Sequence, residues 1–162
     1  MSDRALEIYL NDHLAGSMFG SDLAKQIADR LQGTPPGETM AAVAREIETD
    51  RETLAGLIDQ LGTSRNPVKE ATTWVAEKAS RIKLTGLSHG EEELGLMLAL
   101  ETLSLGIEGK RLLWEALREV QDRYPPLRTL DLDALHDRAE RQRSTVQRER
   151  VATASRALPG TT

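Results

Sequence analysis

The stretch Ser88–Pro126, SHGEEELGLMLALETLSLGIEGKRLLWEALREVQDRYPP, decides what kind of fold this chain can adopt. Its apolar residues recur at the period of a helix with one buried face, and nowhere settle into the alternation of a strand. Ser88 and Glu91 have the spacing of a capping box, and Pro125-Pro126 forbids continuation, so the spacing predicts one helix ending near Arg123. The nearly uncharged run inside it, Leu94 to Leu100, falls far short of the roughly 20 residues that cross a bilayer.

The same period extends in both directions and predicts five helices. The first runs from a cap at Ser2 or Asp3 to about Gln32, with Leu6, Leu10, Leu14, Ser17, Ala24, Ile27 and Leu31 on one stripe. Gly33-Thr34-Pro35-Pro36-Gly37 ends it. A second helix, from about Glu38 to Leu61, buries Met40, Val43, Ala44, Ile47, Leu54, Leu57, Ile58 and Leu61, and Gly62 is placed for a left-handed C-terminal cap. Asn66-Pro67 opens a shorter third helix carrying Ala71, Val75, Ala79 and Ile82. The last helix begins near Asp131 to Asp133 and runs to about Arg156, leaving residues 158–162 as a disordered tail.

At 1.5 Å per residue the four long helices come to roughly 35 to 45 Å and the third to roughly 25 Å. Short links make two antiparallel hairpins, and the shorter helix carries the chain back along them. These lengths predict an all-α, ferritin-like four-helix bundle with a crossover helix, in one domain over residues 1–157. An irregular five-helix bundle is the alternative.

Composition narrows the chemistry. The chain has 162 residues, a formal net charge of -5, 3% aromatic residues and no cysteine, which excludes disulfide scaffolds, thiolate metal sites and thiol catalysis. The charge balance disfavours a general polyanion binder, and the arginine-rich last helix is offset by its own acids and lacks interleaved aromatics, so no nucleic-acid partner is predicted. The N-terminal residues lack the apolar core of a signal peptide, which predicts a cytoplasmic protein. No Walker loop, dinucleotide fingerprint or nucleophile elbow is present. The basic third helix with Trp74 reads as a cover of the bundle, with docking onto a membrane surface or a partner as the other reading; an unknown protein partner or self-association stays open for the protein as a whole. Gly106 and Gly109 are expected to let two helices approach closely.

Polar residues on apolar stripes are the informative ones, because each needs a partner if buried. They are His13; Asp50 and Arg51; Glu101, Glu108 and Arg111; and Gln142 and Glu149. A di-iron centre of the ferritin type needs Glu-x-x-His on two helices. Here Leu10, Gly86 and Asp133 stand three residues before His13, His89 and His136, so the pattern is absent. In an antiparallel hairpin the numbers of facing residues have a constant sum, about 251 for the last two helices and about 70 for the first two. That sets Glu108 near Arg143, Glu101 near Glu149 and Arg150, and Arg111 near Glu140. It also separates His13 from Asp50 by roughly 10 Å. Glu101, Glu108, Arg111 and Arg143 are therefore predicted to form a structural, buried charge network. A ligand pocket or a relic metal site among Glu101, Glu108, Glu149 and His136 stays open beside it.

Three stretches, Tyr9–Gly16 (YLNDHLAG), Pro67–Lys69 with Trp74–Lys78 (PVK, WVAEK) and Leu105–Arg111 (LGIEGKR), resemble a family of uncharacterised bacterial ferritin-like helical proteins. The resemblance covers the chain to about Val120 and implies a fold and no activity. The expected function is that of a non-catalytic interaction or stress-associated accessory protein without a cofactor or working di-iron site. A metal-binding or small-ligand-binding ferritin-like protein is the alternative.

Overall fold

The computed structural model describes residues 4–63, 65 and 89–160. All regular structure among them is helical: α1 (Arg4–Arg30), α2 (Pro35–Gln60), α3 (His89–Val120) and α4 (Leu132–Ala157), with 3-10 turns at Gln121–Arg123 and Pro125–Thr129. The predicted third helix, with Asn66 and Trp74, and the caps at Ser2, Asp3 and Ser88 lie outside the described residues.

Local chemistry sets the ends. Thr34 is the N-cap of α2 and its hydroxyl accepts the Gly37 N–H at 3.2 Å. Pro35 and Pro36 occupy the first turn, where a missing N–H costs nothing, so α2 starts three residues earlier than its apolar stripe suggests. Its other end is a Schellman turn. Gly62 takes φ 67°, its N–H bonds to the Asp59 carbonyl at 3.0 Å, and the Thr63 N–H reaches the Ile58 carbonyl at 3.3 Å. Asp131 caps α4 by accepting the Ala134 N–H at 2.9 Å.

α1 packs on α2 and, less extensively, on α3; α4 packs mainly on α3 and lightly on α2. The chain reverses between α1 and α2 and again between α3 and α4, and Ser21 of α1 donates to Glu48 of α2. Near the C-terminus of α1, Arg30 donates to the Glu92 carbonyl in the first turn of α3 at 3.1 Å, which makes α1 and α3 antiparallel. Consequently α2 and α3 point the same way, and Gln60 and His89 lie at opposite ends of the array.

The core is one cluster built from Leu10, Leu14 and Ile27 of α1, Met40, Leu57 and Ile58 of α2, Leu100, Leu103, Ile107 and Trp114 of α3, and Leu135, Ala139 and Val146 of α4. The predicted stripes of α1 and α2 match it closely. On α3 Leu105 is 55% exposed, and the apolar residues that go inside recur at 96, 97, 99, 100, 103, 107, 113, 114 and 117.

Ion pairs index the α3–α4 seam. Arg118–Asp133, Arg111–Glu140, Arg143–Glu108 and Arg150–Glu101 all have residue numbers adding to 251, and Arg156–Glu93 adds to 249. Each pair is partly exposed and weak alone, but a shift by one helical turn breaks all of them at once.

A candidate ligand cleft between α1 and α3

The charge that is truly buried belongs to α2. Asp50 is 1% exposed, and four side-chain donors converge on its carboxylate. Arg138 of α4 donates to Oδ1 through Nε at 2.8 Å and also through Nη2. Lys110 of α3 donates to Oδ2 at 2.5 Å, and Gln142 of α4 does so at 3.3 Å. Gln142 in turn accepts from Lys110 and donates to Glu46 at 3.0 Å. Three helices are tied through one carboxylate, and both Asp50 oxygens, the Lys110 ammonium and the Gln142 amide are engaged. Burial lowers the Lys110 pKa, with the Asp50 charge opposing that shift.

The network predicted from sequence is arranged differently. The side chains of Glu101, Glu108, Arg111 and Arg143 are 50%, 35%, 21% and 38% exposed, so it is not buried. Glu108 does accept from Arg111 at 2.8 Å and lies 3.4 Å from Arg143. Glu101 stands apart, paired with Arg150 at 3.2 Å. The reason is that these residues flank the α3–α4 seam, one helical step outside the rows that meet in the core. His136 accepts from Arg111 at 3.0 Å, and nothing brings it together with Glu101 or Glu149. Among the described residues no group of three His, Asp or Glu side chains could hold a metal ion.

Beside the Asp50 knot a cleft of about 490 Å³ opens, lined by α1, α2 and α3. Phe19, Leu23, Ile47, Leu54, Leu103, Ile107, Leu113 and Trp114 supply apolar wall, and Asp50 and Lys110 border it. Four helical glycines also line it: Gly16 and Gly20 on α1, Gly106 and Gly109 on α3. A Cβ built on any of these would meet nothing within 4 Å. The expectation that Gly106 and Gly109 let helices approach closely is therefore overturned. Their missing side chains leave space rather than contact.

Two further residues of its lining stand out, His13 and Trp114. His13 stacks edge-on against Tyr9, with ring centroids 4.7 Å apart, and its pKa is lowered by burial against a smaller opposing effect of Asp12. His13 and Asp50, expected to be too far apart to share an ion, line the same cleft at different heights. Trp114 is 1% exposed and its Nε1–H has no hydrogen-bond partner among the described residues. An unpaired buried donor of this kind costs about 1–3 kcal/mol and calls for an explanation.

Lys110 and Arg138 were not singled out as buried polar groups by the sequence reading. A signal for Lys110 existed: it sits between Ile107 and Trp114 at helical spacing, on the row that goes inside. No helix among the described residues is long and apolar enough to cross a membrane. In comparisons with known proteins, the chain matches no protein-family model, and no curated protein or solved structure matches it significantly.

Proposed function

We propose that this chain is a ferritin-like helical protein that works by holding a small apolar molecule in the α1–α3 cleft, without transforming it. The observation that carries the reading is the cleft. Its volume lies inside the range of roughly 300–1,000 Å³ typical of ligand pockets, its walls are mostly apolar, and groups with shifted pKa values border it. Four glycines keep it open in the middle of helices, where alanine would be the more stable choice. The two antiparallel hairpins, with α2 and α3 pointing the same way, support the ferritin-like part of the reading. The non-catalytic part rests on the Asp50 knot: the carboxylate and the Lys110 ammonium bind one another, so neither of these two groups is free to act as base or nucleophile. The accessory role read from the sequence then consists of binding in a cytoplasmic setting.

The test uses the neutral fluorescent probe N-phenyl-1-naphthylamine. Wild type binds one probe per chain, and Gly106→Leu, whose side chain enters open space, weakens binding at least tenfold while the helical circular dichroism is retained. Absence of binding, or equal binding by a folded Gly106→Leu variant, rejects the reading.

A further inference from the structure

From the charges around the cleft we infer the class of molecule it takes: a small amphipathic cation, its apolar body lying along the walls and its one ammonium-type head paired with the Asp12 carboxylate at the rim. The inference rests on the proposed binding role of the cleft and deepens it.

The charged residues bordering the cleft are Asp12, Asp50, Arg51 and Lys110. Three of them are already matched. Arg51 is held by Glu48 through Nε at 3.1 Å and Nη2 at 2.6 Å. Asp50 takes the charges of Lys110 and Arg138, with Glu46 joined to them through Gln142. Asp12 is exposed, and its side chain makes no hydrogen bond or ion pair among the described residues. Its neighbours three and four residues away on α1 are Ile8, Tyr9, Ala15 and Gly16, none of them a cation. His13 does not supply the missing charge, because burial favours its neutral ring. A carboxylate standing over an apolar wall attracts a cation, and the cation's apolar body gains separately by leaving water.

The placement also gives the molecule a direction. On α1 the lining runs from Asp12 to Leu23, a rise of roughly 16 Å. Asp12 stands at its start, and Phe19, Leu23, Ile47 and Leu103 supply apolar wall towards the other end. An anionic head would sit beside a like charge at Asp12, and at Arg51 it would find a guanidinium already taken by Glu48. A chain with its cationic head at Asp12 and its tail towards Phe19 meets both constraints.

The experiment compares octylammonium with 1-octanol, each displacing N-phenyl-1-naphthylamine from wild type, from Asp12→Asn and from Glu119→Gln. The last removes one exposed acid outside the cleft. Because the two ligands partition differently from water, the readout is the ratio of their affinities. That ratio, octylammonium over 1-octanol, is expected to fall at least about threefold in Asp12→Asn, the worth of one solvent-facing ion pair, and to hold in Glu119→Gln. A smaller fall, or an equal one in Glu119→Gln, overturns the inference, while the probe bound in the cleft leaves the proposed role standing. If the probe itself does not bind, both fall. A measurement on wild type guards against a variant that folds poorly: intermolecular nuclear Overhauser contacts place the methylene beside the ammonium against the Asp12 β-protons. The terminal methyl lies nearer the ring of Phe19, the chain's single phenylalanine. The opposite orientation, or a head group away from Asp12, also overturns the inference.

Discussion

Arg138 and Asp50 are 88 residues apart in the chain, yet the guanidinium Nε of one stands 2.8 Å from the buried carboxylate of the other. With Lys110 opposite, this contact joins the two hairpins through their interior. Removing the carboxylate leaves two cations facing each other in a site built for their counterion. Asp50→Ala is therefore expected to lower stability by about 3–5 kcal/mol. Glu101→Ala, which breaks a half-exposed pair with Arg150, is expected to lower it by less than about 1 kcal/mol. Urea denaturation of the two variants checks the contrast, and similar midpoints would remove Asp50 from the centre of the account.

The glycines divide into two kinds. A Cβ on Gly106 or Gly16 enters open space in mid-helix, so Gly106→Ala and Gly16→Ala are each expected to raise stability by about 0.5–1 kcal/mol. At Gly37 a Cβ would lie 2.0 Å from the Leu31 carbonyl oxygen, so Gly37→Ala forces the α1–α2 turn apart and lowers the melting temperature. Thermal melts that moved all three variants in one direction would contradict this division.

Acid acts on the fold at two places. Hydrogen bonds from Arg51 and Ser21 lower the Glu48 pKa from 4.5 to about 2, so its contribution is complete above 4.5 and is lost as pH falls towards 2. His13 has a folded pKa below 6.5; the unfolded chain takes up its proton first, and stability declines as pH drops beneath 6.5. Accordingly Glu48→Gln flattens the stability curve below pH 4.5, and His13→Gln flattens the shallower step above it. Parallel curves for wild type and variants would deny both roles.

The helices and their register could be read from the chain because they depend on local rules. Helical period, the Asp131 and Gly62 caps and two short reversals suffice to make Arg111 face Glu140 and Glu101 face Arg150, and both pairs occur. Which charged row goes inside was not legible in the same way. Asp50 was visible as an acid on an apolar stripe, but its partners come from α3 and α4, and choosing Lys110 over Glu108 requires the rotation of α3 to within part of a turn. That rotation is set by packing of Leu103, Ile107 and Trp114 against the other helices, a tertiary matter. The cleft was hidden for a related reason: Gly106 and Gly109 look alike in sequence whether they face a neighbouring backbone or empty space.

The most direct test of the cleft as a binding site is a chemical-shift map of the isotope-labelled chain titrated with N-phenyl-1-naphthylamine. The account predicts the largest changes at the amides of Gly16, Gly20, Gly106 and Gly109 and at the Trp114 indole, with the α3–α4 seam around Glu101 and Arg150 unmoved. Changes centred on that seam, or none at saturating probe, would contradict it.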